Sequence, residues 1–190
     1  MAPWLLDPLH STIGFSTRHM MVAKVRGSFR DFALDVAFDP EHPEQGRVTA
    51  IVQAASIDTG QEQRDTHLRS ADFLAAESFP TLTFASTGVV PRGEGKYDLA
   101  GDLNIRGMTR RVTFDLEYLG EAANAQGGRS AGFSAHAKIK RHDWGLVWNQ
   151  GLEAGGLAVG DEIEIEIDVE LVRAAEEQVA APVPVAALVS

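Results

Sequence analysis

The stretch QEQRDTHLRSADF, residues 61–73, gathers two arginines, two aspartates, a glutamate and a histidine between segments that read as β-strand. Arginine presents a planar fork of donors that suits a phosphate or another anionic head group. Arg64, His67 and Arg69 are therefore candidates for a polar rim, and His19, beside Arg18, is a fourth candidate at a cavity mouth. The same residues permit a structural role, in which Arg64 or Arg69 pairs with Asp65 or Asp72 and pins a helical segment. The residue types alone leave both readings open. Other chemistries find less support. The chain has no cysteine, which excludes disulfides, thiolate catalysis and thiolate metal sites. Its six histidines show no HxH or HExxH spacing, and DTH at 65–67 and RHD at 141–143 stand isolated, so no metal site and no cofactor is expected. No GxSxG elbow occurs, and GEGK at 93–96 is a turn rather than a phosphate loop, so no catalytic residue is nominated.

Composition narrows the partners. Net charge is −10 with a pI near 5.0, a field that repels nucleic acid and disfavours tight docking on anionic membranes. The first residues, MAPWLLDPLHSTIGF, lack the basic start and apolar run of a signal peptide, which predicts a cytoplasmic location. No run of about 18 apolar residues predicts a membrane helix. The length suits one domain over residues 1–173, followed by a flexible tail at 174–190 that is rich in small residues and proline.

The elements that would position a site are strands. EIEIEIDVEL, residues 162–171, alternates acid and aliphatic, the period of a strand with one wet and one buried face. FALDVAFD at 32–39, KYDLAGDLNI at 96–105 and RRVTFDLEYL at 110–119 repeat it, and residues 10–17, 48–56, 82–89 and 130–140 are compatible. That makes about eight antiparallel strands, with glycine turns at 91–96 and 106–109. Residues 60–77 read as a helical insert between strands 3 and 4, capped by Thr59 with Glu62 completing a capping box. A shorter helix is expected at 19–24.

Eight short antiparallel strands resolve their exposed edges best by closing into a barrel, which at this strand number can hold one small ligand. Its inward face would carry Phe15, Phe29, Phe32, Phe38, Phe84, Leu103, Phe114 and Phe133, with small residues Ala50, Ala54, Gly101, Ala135 and Ala137 between them. That mixture fits either an apolar channel or a solid core. Strands of about ten residues, tilted by about 40°, give a barrel about 25 Å long.

Four landmarks, DPLHSTIGFSTRHM, VRGSFRDF, SIDTGQEQRDTHLRSADFLAAESFPTLTFAST and GDLNIRGMTRRVTFDL, appear in order between residues 7 and 116. In these the chain resembles the YceI-like family over about residues 4–172, with the insert as its most specific piece. The resemblance implies an all-β fold, an eight-stranded antiparallel lipocalin-like β-barrel. It also implies a non-catalytic protein that stores or carries a polyisoprenoid lipid, without stable membrane insertion, and allows a homodimer. The cavity would be lined by Phe15, Phe29, Phe38, Phe84, Leu103, Phe114, Phe133 and Ala135. Two other classes stay open: an enzyme acting on a small lipid at the barrel mouth, and a filled barrel that serves as an interaction module.

Overall fold

A computed structural model describes residues 3–20, 22–125, 127–151 and 157–173; the expected tail at 174–190 lies outside them. The alternating segments all form strands. They are β1 (Leu5–His19), β2 (Ala23–Phe29), β3 (Phe32–Ala37), β4 (Arg47–Gln53), β5 (Ile57–Asp58), β6 (Thr81–Gly93), β7 (Lys96–Ile105), β8 (Met108–Ala123), β9 (Arg129–Lys140) and β10 (Val159–Arg173). One helix, α1 (Glu62–Arg69), joins β5 to β6. The strands make a single antiparallel sheet in the order β3-β4-β6-β7-β8-β9-β10-β1-β2-β5, curled around an apolar interior.

The count is ten strands, not eight. Two local features account for the difference. The first is β2, whose AKVRGSF lacks clean alternation because of what it packs against. Gly27 lies opposite Phe15 in the β1–β2 ladder, and a Cβ there would sit 2.5 Å from the tip of the Phe15 ring. Glycine makes room for Phe15, whose ring packs 5.7 Å from Phe29. The second is a 3₁₀ turn at Ala54–Ser56, which ends the segment expected at 48–56 three residues early and leaves β5 as a separate short strand after it. β2 and β3 are likewise separated only by Arg30 and Asp31, where Arg30 N–H donates to Ser56 and Gln53 N–H donates to Asp31. β3, one end of the strand order, and β2, next to the other end, thus derive from adjacent stretches of chain.

Three further expectations are corrected. The described residues of 19–24 are strand and turn rather than helix, and Met20 N–H donates to Ala158 in the β9–β10 loop. The insert holds eight helical residues rather than eighteen, followed by turns through Glu77. Its N-cap is Gln61, whose side chain accepts from Arg64 N–H at 2.5 Å, not Thr59. Thr59 is instead held by Asp65.

The period-two pattern does what it should elsewhere. Ile163, Ile165, Ile167, Val169 and Leu171 face inward from β10, paired with Ile139, Ala137, Ala135, Phe133 and Ala131 of β9. Large residues thus stand opposite mostly small ones, which keeps the space between them open. The β7–β8 turn runs through Arg106 (φ 51°) and Gly107 (φ 73°), the two positive φ values that a tight two-residue hairpin turn requires. At the end of the sheet holding the N-terminus, Trp4, Phe38, Tyr118 and Phe133 form an aromatic cluster over buried Ala131 and Leu171. Phe38 stands edge-on to Phe133 with centroids 4.9 Å apart.

A candidate lipid-binding cavity

A cavity of about 520 Å³ lies inside the curled sheet and reaches from the aromatic cluster to the end covered by α1. Its size is that of ordinary small-molecule sites, about 300–1,000 Å³. Phe15, Phe29, Phe38, Phe84, Leu103, Phe114, Phe133 and Ala135 all line it. Phe32 does not, and Gly101 serves the wall instead: a Cβ there would lie 2.2 Å from the Phe84 ring. Phe84 and Phe114 meet edge-on at 5.3 Å, so the rings form a fixed wall rather than a collapsed centre. Burying Phe114, 4% exposed, contributes about 1.5–3 kcal/mol.

The polar candidates sort differently. Arg64, His67 and His19 line the cavity; Arg69 does not. Arg69 donates through Nε to the Ala55 carbonyl at 2.9 Å, through Nη2 to that of Ile57 at 3.1 Å, and pairs with Glu62 at 3.3 Å. These bonds tie α1 to the 3₁₀ turn and β5. Arg64 donates from Nε to the Thr59 hydroxyl at 2.7 Å and from Nη2 to the Thr59 carbonyl at 2.9 Å. The Thr59 hydroxyl in turn donates to buried Asp65, whose Oδ1 also accepts from Thr59 N–H at 3.0 Å. Neither arginine pairs with Asp65 or Asp72, the partners suggested by spacing. Asp72 instead meets His67 Nε2 at 2.8 Å. The His67 ring stands edge-on to Phe73 at 5.1 Å and to Trp148 at 4.5 Å, which fixes it in the cavity wall.

One residue of this end was missed. Arg141, directly after β9, is only 2% exposed and lines the cavity. Its Nη1 donates to the Leu146 carbonyl and, at 2.9 Å, to that of Trp148; its Nε donates to Gly160 at 2.9 Å. Burial pushes its pKa down, while the charge of Asp161 pushes it back up. Its neighbour Trp144 is 2% exposed and donates Nε1–H to Leu103 at 3.2 Å. RHDW gives no spacing signal for this burial, because the partners are main-chain carbonyls up to 19 residues away.

Among the described residues, one group has the makings of a metal site. Asp7, His10 and Glu170 bring ligand atoms within 4.8 Å of one another on the outer face. Asp7 already holds His10 Nδ1 at 2.9 Å and accepts Leu9 N–H at 2.9 Å, so an ion pair accounts for the cluster.

The comparisons agree with this architecture. A UPF0312 protein of Staphylococcus aureus is 36% identical over 171 residues, 90% of this chain and 97% of its own. A UPF0312 protein of Azotobacter vinelandii is 35% identical over 164 residues, covering 86% and 82%. Among solved structures, BcnA of Burkholderia cenocepacia superposes with a TM-score of 0.75 at 26% identity, over 87% of this chain and 98% of its own. A polyisoprenoid binding domain from Saccharophagus degradans, implicated in plant cell wall breakdown, shares the fold at TM-score 0.63 and 14% identity, over 92% and 100%. The family model for the YceI-like domain matches residues 4–171, so this chain belongs to the YceI-like family.

Proposed function

We propose that the curled sheet works as a lipocalin-like barrel that binds one long apolar chain, of polyisoprenoid type, for storage or transport without chemical turnover. The cavity carries this reading: it is lined mostly by aromatic and aliphatic side chains. Each CH₂ moved from water into such a site contributes about 0.8 kcal/mol, so two isoprene units already supply several kcal/mol. The fold shared with the Saccharophagus degradans domain, whose name records polyisoprenoid binding, supports the same choice. Adjacent segments Ala23–Phe29 and Phe32–Ala37 stand at or next to the two ends of the strand order, which supports a sheet closed on itself. A homodimer through the outer face and a cytoplasmic location belong to the same proposal.

The test is a titration with geranylgeraniol, followed by the fluorescence of Trp144 and Trp148, both of which line the cavity. A saturable change at one lipid per chain is expected. A signal that stays flat or rises linearly with lipid contradicts the reading.

A further inference from the structure

We propose that the α1-covered end of the sheet docks reversibly on a net-neutral lipid surface, through exposed apolar side chains that surround that end of the cavity. This rests on the apolar-chain reading and names the surface with which the chain is exchanged. Among the described residues, eleven large apolar side chains are exposed. Six of them, Met20, Val22, Phe79, Met108, Val147 and Leu157, lie in or directly beside the four connections made at this end: β1–β2, β5–β6, β7–β8 and β9–β10. Close contacts link these connections into one rim. A Cβ on Gly107 would lie 2.8 Å from the Phe79 ring, and one on Gly145 would lie 3.2 Å from the Met108 sulfur. Val147, two residues past Gly145, stands between Leu146 and Trp148, whose carbonyls both accept from Arg141. Arg141 also donates to Gly160, just past Ala158, and the Ala158 carbonyl accepts Met20 N–H at 2.9 Å. Leu157 precedes Ala158, and Val22 N–H closes the β1–β2 turn on the His19 carbonyl at 3.1 Å.

None of the six lines the cavity, yet their neighbours His19, Trp148 and Ala158 do. The rim therefore surrounds the end of the cavity without filling it. Single exposed apolar side chains are ordinary, but a set gathered from four connections at one end marks a contact surface. Charge and shape choose the occupant. A net charge of −10 repels anionic membranes and nucleic acid, which leaves a surface without net charge. The apolar tips stand on separate turns, with exposed His142, Asp143 and Gln150 among them. Such tips can enter the headgroup region of a bilayer one by one, whereas a folded partner needs a continuous, well-packed patch. A lipid surface also continues the cavity. A chain passing between bilayer and interior would not have to cross water, while a protein seated on the rim would close the cavity off.

The experiment is co-flotation of the whole chain with phosphatidylcholine vesicles that contain no prenyl lipid. The wild type is expected to float with the vesicles, and V22D/V147D to partition about tenfold or more weakly. Val22 and Val147 are 82% and 67% exposed, so the double variant is expected to keep its fold, with circular dichroism as the control. Adding phosphatidylglycerol to the vesicles should lower the bound fraction of the wild type, and raising the salt in phosphatidylcholine should change it little. Wild-type protein that stays in solution overturns the inference, and so does a folded double variant that floats as well as the wild type. Flotation only with phosphatidylglycerol, lost at high salt, overturns it in favour of a basic patch. Self-association of the wild type without flotation, abolished in V22D/V147D, overturns it in favour of an interface between two copies. If the double variant does not fold, the wild-type vesicle series alone decides. Geranylgeraniol titration in vesicle-free buffer reads the cavity separately: saturable binding there leaves the apolar-chain reading intact whatever the vesicles show.

Discussion

Ala135 sits in the middle of β9, opposite Leu116 and Ile167, 6% exposed and lining the cavity. Replacing it with tryptophan adds about nine ring atoms directed into the void. If these displace one isoprene unit, about five carbons, the lost burial is about 4 kcal/mol at ~0.8 kcal/mol per carbon, close to a thousandfold in Kd. The protein itself should tolerate the change. Overpacking a filled core costs about 1–3 kcal/mol or more, whereas a ring entering an open cavity of about 520 Å³ meets few atoms. The expected outcome is a folded variant whose Tm falls by only a few degrees, at about 2–4 °C per kcal/mol for a domain of this size. Geranylgeraniol titration, with circular dichroism as the fold control, reads both quantities. A folded A135W that takes up lipid within threefold of the wild type would refute the channel. A variant that loses its fold would refute the open interior.

Gly101→Ala places a Cβ 2.2 Å from Phe84 and 2.6 Å from the Ala85 carbonyl oxygen, and the backbone oxygen cannot swing away. Thermal unfolding should show a loss of about 2 kcal/mol or more; an unchanged Tm would mean that the β6–β7 wall is looser than described. Arg69→Ala removes the bonds to the Ala55 and Ile57 carbonyls, so denaturant unfolding should report a loss of about 1–3 kcal/mol with lipid affinity nearly unchanged. A large affinity loss without destabilisation would return Arg69 to the binding site. The Lys24 ammonium beside Glu164, helped by Lys138 and Ser16, holds that carboxyl down at about 2. A depressed folded pKa stabilises above the unfolded value of about 4.3 and is lost as pH falls toward 2. Glu164→Gln should therefore flatten the pH dependence of stability between about pH 4.5 and 2, and an unchanged slope would remove the interaction from the acid response.

Much of this was legible in the chain because a strand with one wet face writes its period into the sequence. The acid–aliphatic alternation of residues 162–171 became the interior of β10, and the phenylalanines assigned to the cavity wall line it. What escaped were features set by contacts distant in sequence. β2 looked irregular because Gly27 answers to Phe15 across the ladder, not to its own neighbours. The strand count rose from eight to ten through β2 and through β5, which the 3₁₀ turn at Ala54–Ser56 sets apart from β4. Within RDTHLRS, charge spacing suggested arginine–aspartate pairs, yet Arg64 and Arg69 chose main-chain carbonyls and a hydroxyl. Arg141 was invisible for a related reason: a buried arginine satisfied by backbone has no partner residue type to betray it.

The central claim is that the interior holds one apolar lipid chain, and native mass spectrometry of freshly purified protein tests it most directly, with solvent extraction to identify whatever leaves. The account predicts a discrete added mass of one amphiphile per chain, retained from the host or acquired on incubation with prenyl lipids, and absent from A135W. A bare protein mass under both conditions, with the fold intact, would contradict it.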